Sequence, residues 1–275
     1  MIRIGTAGYA YKDWEGPVYP VPRPDGFDPL RFMAGFFPCL EMNVTFYRVP
    51  EPAHVARWTK KVEDRPDFRF TFKLYKGLTH DGEDEPLRPF LEALEPCRAA
   101  GRLGAILLQF PFFFRNTQEN RARLATLADG LRGWPCAVEV RDRGWLAPPA
   151  LDFLKRLGLS LCAIDICQTK TSVPPATLTT GPLGYVRLHG RNAEAWFDRN
   201  APVHRKYDYL YSDAELKGWA DRVRTIAQGT DSTYVITNNH FGGKAVANAF
   251  TLSRLLTGTA PEPPPHLQKT FPGLR

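Results

Sequence analysis

The stretch AVEVRDRGWLAPPALDFLKRLGLSLCAIDI, residues 137–166, contains two short apolar runs separated by a segment of helical character. Ala137–Arg141 and Ser160–Ile166 are rich in apolar and β-branched residues and predict strands. Between them, Pro148–Leu157 opens with a proline pair, typical of a first helical turn, and stops before Gly158, a common helix terminator. A strand, a helix and a second strand in this order are the repeating unit of a parallel α/β sheet.

The same unit recurs along the whole chain. The other predicted strands are Arg3–Thr6, Leu40–Phe46, Phe68–Leu74, Ala105–Phe110, Gly184–His189 and Thr233–Asn238. The other predicted helices are Phe27–Phe37, Glu51–Val62, Leu87–Ala100, Thr117–Leu131, Ser212–Gln228 and Ala245–Leu256. Eight strands that alternate with helices predict an α/β protein of the (β/α)8 TIM-barrel class. An open doubly wound sheet is the alternative, but no Gly-x-Gly-x-x-Gly turn follows the first strand, so we expect no bound dinucleotide.

Two segments fall outside this alternation. Thr169–Gly181, between strands six and seven, contains Pro174-Pro175 and predicts a loop in place of a regular helix. Residues 259–275 are rich in proline and predict a C-terminal tail on the surface. We therefore expect a single TIM-barrel domain at residues 1–258 followed by this tail.

The composition excludes several classes of protein. Of 275 residues, 43% are hydrophobic and 24% are charged, which is ordinary for a globular protein and excludes intrinsic disorder and fibrous repeats. No stretch has the roughly 20 apolar residues of a membrane helix. The five cysteines are scattered, as in proteins of a reducing compartment, so we expect a cytoplasmic protein with no membrane partner. The net charge of +7 comes from dispersed residues and permits a polyanionic partner without requiring one.

Alternate side chains of a strand face opposite sides of a sheet, so most predicted strands have an apolar and a polar side. We assign the apolar side to the surrounding helices and the polar side to the barrel lumen, near the carboxyl ends of the strands, where TIM-barrel enzymes keep their active sites. The residues predicted to meet at this mouth are Glu41, Asn43, Lys73, Gln109, Glu139, Arg141, Asp165, Arg187, His189 and Asn238. Because burying charges is costly, their concentration at one end of the strands predicts a functional site rather than a purely structural ion-pair lattice.

Many motifs of the chain occur, in the same order, in one known family. They are Gly5-Thr6-Ala7-Gly8-Tyr9, Trp14, Tyr19-Pro20, Glu41-Met42-Asn43-Val44-Thr45-Phe46-Tyr47, Lys73, Thr79-His80, Gln109-Phe110-Pro111, Glu139-Val140-Arg141, Trp145, Arg187-Leu188-His189-Gly190-Arg191, Tyr207-Asp208-Tyr209 with Tyr211, and Asn238-Asn239-His240. From Gly5 to about Leu256 the chain resembles the YecE-like family of TIM barrels, also called domain of unknown function 72. The resemblance implies a TIM barrel with these residues at its mouth, and it implies no established activity.

General acid–base catalysis is the chemistry that the predicted cluster favours. Glu139 and His189 are the candidate acid and base, because the pKa values of a carboxylate and an imidazole in such a site can both be tuned towards neutral pH, and Asp165 is predicted to orient His189. Lys73 is the only lysine on a lumen face and is the candidate for a Schiff base, unless its carboxylate neighbours keep it charged. The competing arginines argue against a permanently bound metal, so none is expected.

Positive side chains at the mouth favour an anionic substrate. The guanidinium groups of Arg141 and Arg187 suit a carboxylate or a phosphate. The loop after strand eight contains two glycines and leads into a helix, a position where barrels often bind phosphate, so we expect an anion at Gly242–Ala245 with Arg187 nearby. The full set of predicted substrate-binding residues is Glu41, Asn43, Gln109, Arg141, Arg187, Asn238, Asn239, His240, Gly242, Gly243 and Lys244.

Aromatic residues of the loops after the strands are predicted to form the rim of the mouth. They are Tyr9, Trp14, Tyr47, Trp145 and Tyr207. With the basic residues Arg191, Arg199, Arg205 and Lys206, such side chains make a nucleic-acid-binding protein or a phosphodiesterase the first alternative function. A ligand-binding barrel without catalysis is the second alternative. The main prediction is an enzyme for a small phosphorylated or otherwise anionic substrate.

Overall fold

Eight parallel strands form a closed barrel in the computed structural model, which describes residues 1–198 and 200–274. The strands are β1 (Ile2–Ala7), β2 (Cys39–Met42), β3 (Arg69–Lys73), β4 (Leu103–Gln109), β5 (Cys136–Glu139), β6 (Ser160–Asp165), β7 (Leu183–Leu188) and β8 (Ser232–Thr237). Each strand pairs with its neighbours in sequence, and β8 closes the barrel on β1, where Ile4 pairs with Val235. The predicted (β/α)8 barrel is confirmed.

Helices surround the barrel and occupy the loops at its ends. Within the described residues they are α1 (Pro29–Ala34), α2 (Val44–Tyr47), α3 (Pro52–Lys60), α4 (Leu87–Ala99), α5 (Gln118–Gly130), α6 (Pro148–Arg156), α7 (Ala193–Phe197), α8 (Asp213–Gln228), α9 (Lys244–Thr257) and α10 (Pro265–Thr270). Single turns of 3-10 or π helix lie at Lys12–Trp14, Gly77–Asp81, Arg143–Leu146, Val203–Tyr207 and Phe241–Gly243. None of the helices so described has both the length and the apolar character to cross a lipid bilayer.

The connection from β6 to β7 contains no helix, and every residue of it is described. Side chains, in place of helical hydrogen bonds, pair with backbone N–H and carbonyl groups in and next to this connection. The Thr180 hydroxyl accepts a hydrogen bond from the Leu161 N–H at 2.8 Å and donates to the Leu159 carbonyl at 2.6 Å. The Gln168 amide donates to the carbonyl of Ile166 at 3.0 Å. The predicted loop in place of a regular helix is therefore confirmed.

The proline-rich C-terminal segment packs on the barrel. Its helix α10 buries Leu267 completely, and the His266 ring contacts the carbonyl of Val18. Arg275, the last residue of the predicted tail, lies outside the described residues.

Strand β2 is shorter than the sequence predicted. The alternation of residues 40–46 predicted a strand to Phe46, but β2 ends at Met42 and the chain turns into helix α2. The Thr45 hydroxyl lies at the turn, 2.8 Å from the Met42 carbonyl and 2.6 Å from the Lys73 carbonyl of β3. This contact with a neighbouring strand overrides the local β pattern and turns Phe46 towards the barrel mouth.

The lumen is apolar in its lower layers and polar at the carboxyl ends of the strands. Along β4, Ala105 and Leu107 precede Gln109, and along β7, Tyr185 precedes Arg187. The apolar layers fill the barrel as a packed core, so any site must lie at the polar upper end.

Candidate functional site

Arg187 joins two carboxylates at the polar end of the lumen. Its Nη2 lies 2.7 Å from Oε1 of Glu41 on β2, and its Nη1 lies 2.5 Å from Oε2 of Glu139 on β5. All three side chains are buried. The strand alternation therefore placed them correctly on the lumen side. One guanidinium thus gives each of the two buried carboxylates a charge-assisted hydrogen bond in place of water.

Glu139 has two further cationic or imidazole neighbours. Its Oε1 accepts hydrogen bonds from Nε and Nη2 of Arg141, at 3.2 and 3.1 Å, and lies 3.3 Å from Nε2 of His189. Burial favours the neutral acid, but Arg187, His189 and Arg141 together outweigh burial and hold the pKa of Glu139 well below its usual range. Glu139 is therefore ionised at neutral pH.

His189 is fully buried beside this carboxylate. Nδ2 of Asn238 lies 2.8 Å from its Nδ1. Burial lowers the pKa of His189 to about 4, although Glu139 acts in the opposite direction. The ring is therefore neutral at physiological pH, with Asn238 on one nitrogen and Glu139 near the other.

Above this layer a cavity of about 680 Å³ opens at the mouth of the barrel. Its lining residues are Gly8, Tyr9, Ala10, Tyr11, Met42, Asn43, Val44, Phe46, Tyr47, Trp58, Lys73, Arg141, Arg187, His204, Tyr207, Asn238 and His240. The lysine and arginine side chains among them are Lys73, Arg141 and Arg187, and no carboxylate is among the lining residues that the structure describes. The carboxylates of Glu41 and Glu139 lie beneath the arginines, fully buried.

Several polar atoms of the cavity wall lack a hydrogen-bond partner among the described residues. They are Oδ1 of Asn43, Nε of Arg187 and Nδ1 of His240, and each is buried. A buried donor or acceptor left without a partner costs free energy, so these atoms favour a polar guest in the cavity.

Lys73 lies at the carboxyl end of β3 with its Nζ 3.6 Å from the centre of the Phe46 ring. No Asp or Glu oxygen of the described chain lies within 4.0 Å of that nitrogen. Burial, aided by Arg187 and Arg141, lowers the pKa of Lys73 to about 7 despite the opposing effect of Glu139 and Glu41. The sequence left open whether carboxylates keep this lysine charged, and the structure shows that none pairs with it.

Asp165 does not reach the lumen, contrary to the sequence prediction. It lies on the helix-facing side of β6, where Nε of Arg191 donates to Oδ1 at 2.9 Å and Nε1 of Trp219 donates to Oδ2 at 3.1 Å. Ile164 and Ile166, the residues on either side, pack inside the barrel. The prediction that Asp165 orients His189 is therefore wrong. Asn238 contacts Nδ1 of His189 instead.

The glycine loop after β8 is already paired within the chain. The Gly242 N–H donates to Oδ2 of Asp13 at 2.6 Å, and the Lys244 ammonium pairs with Asp208. A side chain at Gly243 would collide with Val18, so this glycine serves a close packing contact. The groups that were predicted to hold an anion at Gly242–Ala245 are thus occupied by carboxylates of the chain, and none of them lines the cavity.

Other predicted site residues also support the structure around the cavity rather than lining it. Asn239 donates to Asn248 of α9 at 2.7 Å, and Gln109 donates to the neighbouring Phe110 carbonyl. Trp14 and Trp145 were predicted at the rim, but both are fully buried and donate to backbone carbonyls. These predictions of a rim position are wrong because a loop has no periodicity from which the direction of a side chain follows.

The remaining predicted residues do line the cavity. They are Asn43, Lys73, Arg141, Arg187, Asn238 and His240, with Tyr9, Tyr47 and Tyr207 of the predicted rim. Sequence reasoning missed Phe46, Trp58 and His204. Trp58 lies on helix α3, inside the predicted helix Glu51–Val62, and no pattern in the sequence distinguishes it from a core residue. Arg199, one of the basic residues predicted to follow strand seven, lies outside the described residues.

The geometry also bears on metal binding. Within residues 1–198 and 200–274, no three or more His, Cys, Asp or Glu side chains converge as a metal site requires. The carboxylates at the mouth have arginines as partners instead.

Comparisons with known proteins agree with the sequence motifs. A family described as "Protein of unknown function DUF72" matches residues 3–270. UPF0759 protein YunF of Bacillus subtilis (strain 168) is 29% identical, and the match covers 95% of this chain and 98% of YunF. UPF0759 protein YecE of Escherichia coli (strain K12) is 32% identical over 118 residues, 42% of this chain and 39% of YecE.

Solved structures show the same fold. A crystal structure of a DUF72 family protein from Enterococcus faecalis V583 superposes with a TM-score of 0.84 at 29% identity, covering 96% of this chain and 98% of that one. A DUF72 family protein from Thermotoga maritima MSB8 superposes with a TM-score of 0.81 at 31% identity, covering 94% and 99%. Matched over nearly its whole length in sequence and in fold, the chain belongs to the DUF72 family of proteins of unknown function.

Proposed function

We propose that the mouth cavity binds a small anionic substrate and that the protein is an enzyme that acts on it by acid–base chemistry. One observation carries the proposal: the charged side chains on the cavity wall are all cationic, whereas the carboxylates that balance them lie beneath, out of reach of a ligand. The volume of about 680 Å³ is that of a small-molecule site.

The arginines support an anionic ligand. Arg141 uses Nε and Nη2 for Glu139, which leaves Nη1 for a ligand, and its side chain is 12% exposed. A carboxylate or phosphate beside Arg141 and Lys73 gains from the low dielectric of the partly buried wall. It also finds donors in Asn238 and in the unpaired Nε of Arg187.

Aromatic rings form another part of the wall. The ring of Tyr11 stacks on His240 with centroids 4.2 Å apart, and Tyr207 lies 4.9 Å from the same imidazole. Tyr9 and Tyr47 add two further rings. Walls of this type favour a ligand with a flat or sugar-like part next to its anionic group.

Lys73 is better placed for proton transfer than Glu139 or His189. Glu139 is fixed by two arginines, and neither it nor His189 lines the cavity. The amine of Lys73 does line it, and its pKa of about 7 lies where a general acid or base is most effective.

Binding of phenyl phosphate, measured by calorimetry, tests the anion site. Binding of inorganic phosphate alone and of phenol alone gives the separate contributions of the charged group and of the aromatic ring. Arg141→Gln is expected to weaken phenyl phosphate binding at least tenfold, since a hydrogen bond to a charged group contributes about 1.5–3 kcal/mol. Arg143→Gln is the matched control: Arg143 is exposed, lies two residues away and donates to the Lys170 carbonyl. Equal affinity of Arg141→Gln and Arg143→Gln for phenyl phosphate would contradict the proposal.

Nucleic acid is the second candidate ligand, because exposed aromatic residues lie near the mouth. Tyr47, Phe113 and Phe197 are 70%, 73% and 60% exposed, and all three follow the carboxyl ends of strands. Binding of a single-stranded oligonucleotide that falls steeply with added salt would favour this candidate over a small anion. Saturable binding of small anions, with no turnover of any of them, would identify a binding protein without catalysis.

A further inference from the structure

Lys73 is the one primary amine on the described cavity wall. The lining residues include no cysteine, serine or threonine. Burial raises the pKa of Tyr9 to about 12 and raises that of Tyr11 as well, so both phenols stay protonated. His240 has little nucleophilic freedom because its ring stacks on Tyr11 and lies 4.9 Å from the ring of Tyr207.

The surroundings of the Lys73 amine differ from those of a structural lysine. Its nitrogen lies against the face of Phe46, and no carboxylate of the described chain lies within 4.0 Å of it. Lys76, three residues further on, is exposed and pairs with Asp81 at 3.7 Å. Lys73, in contrast, is next to arginines and in a partly desolvated wall, which favours the neutral amine.

We propose that Lys73 forms a Schiff base with an aldehyde or ketone group of the anionic substrate. This inference rests on the proposed function, because the arginine side of the cavity is what would place the anionic group of such a substrate. The Lys73 nitrogen attacks the carbonyl carbon with its lone pair, and the carbonyl oxygen takes up a proton to give a carbinolamine. Expulsion of that hydroxyl as water, with loss of the second nitrogen proton, leaves a C=N bond between Lys73 and the substrate.

The position of the arginines suits this chemistry. Arg141 and Arg187 line the same cavity as the amine, so a carbonyl acid or a phosphorylated carbonyl compound can present its anion to them and its carbonyl carbon to Lys73. Both arginines also favour the neutral, nucleophilic form of the amine, as the pKa of about 7 reflects. One set of cations thus serves binding and activation together.

Reductive trapping with two carbonyl probes tests the inference on the whole protein. Formaldehyde and glyoxylate, each with cyanoborohydride at pH 7, alkylate a lysine through its imine, and peptide mass spectrometry gives the labelling rate at each lysine. An amine with a pKa near 7 is about half neutral at pH 7, against roughly one part in several thousand for an ordinary lysine of pKa about 10.4. We expect Lys73 to be labelled on the order of a hundredfold faster than Lys76 by formaldehyde, and more selectively still by glyoxylate.

The two probes separate the inference from the function on which it rests. Labelling of Lys73 by formaldehyde no faster than that of Lys76 overturns the Schiff-base inference, whatever binds in the cavity. Fast labelling by formaldehyde with no added preference for glyoxylate overturns the anion site instead. Arg141→Gln should reduce the glyoxylate preference more than the formaldehyde rate. Lys73→Arg removes labelling at that position. The ratio of the labelling rates of Lys73 and Lys76 is measured within the wild-type protein, so this test does not depend on the folding of a variant.

Discussion

Nδ2 of Asn238 lies 2.8 Å from Nδ1 of His189, so an amide contacts one nitrogen of the buried imidazole, while the Glu139 carboxylate lies 3.3 Å from the other. An amide holds the ring without stabilising its positive charge. Burial therefore prevails and the pKa of His189 falls to about 4.

Asn238→Asp should raise the pKa of His189 by about 1–3 units, because a carboxylate within hydrogen-bond distance favours the imidazolium form. Titration of the histidine ring signals by NMR measures it. His80, whose pKa burial also lowers to about 4, is the internal control and should not move. A His189 pKa that stays near 4 in the variant would show that Asn238 does not determine its protonation.

Arg187→Met should destabilise the protein by about 3–5 kcal/mol, because it leaves the buried carboxylates of Glu41 and Glu139 without their shared counter-ion. Urea unfolding at pH 7 measures the loss. The triple variant Glu41→Gln, Glu139→Gln, Arg187→Met removes all three charges and should recover part of it. A single variant as stable as the wild type would mean that the ion pairs contribute nothing net.

The free energy of unfolding should fall as the pH drops from about 6.5 towards 4. Burial lowers the pKa of His80, His189 and His240 to about 4 in the folded state, so in this window the unfolded chain binds protons that the folded chain excludes. Each such histidine contributes a slope of at most about 1.4 kcal/mol per pH unit. The depressed pKa of Glu139 acts at lower pH: its stabilisation is present above about 4.3 and is lost as the pH falls further.

Urea unfolding at pH 7, 6 and 5 checks this slope. His189→Gln should make it shallower, because that side chain no longer binds a proton in the unfolded chain. A flat profile over this range would contradict neutral burial of the three rings.

The sequence was informative wherever a strand carried a polar and an apolar side. Alternation in β3, β5 and β7 placed Lys73, Glu139 and Arg187 correctly in the lumen. It failed at β6, because both sides of that strand are apolar. Leu161 and Ala163 lie on one side, and Cys162 and Ile164 lie on the other. With two apolar sides the pattern carries no information on direction, and the one charged residue was assigned to the wrong face.

Loops limited the prediction of the site in a different way. The burial of Trp14 and the pairing of Gly242 with Asp13 depend on contacts between the loops after β1 and β8, which are more than 200 residues apart in sequence. No local pattern predicts such contacts. The lowered pKa of Lys73 likewise depends on its burial and on where three other strands place their charges.

The placement of Asp165 outside the lumen leads to a last prediction. Asp165→Asn keeps the shape of the side chain but weakens its contacts with Arg191 and Trp219, so unfolding should become easier by about 1–3 kcal/mol. Phenyl phosphate affinity should stay unchanged, since neither Asp165 nor its partners line the cavity. Arg141→Gln should show the reverse pattern, with a large loss of affinity and a smaller loss of stability. If Asp165→Asn lowered the affinity as Arg141→Gln does while unfolding was unaffected, Asp165 would belong to the site after all, as its position in the sequence first suggested.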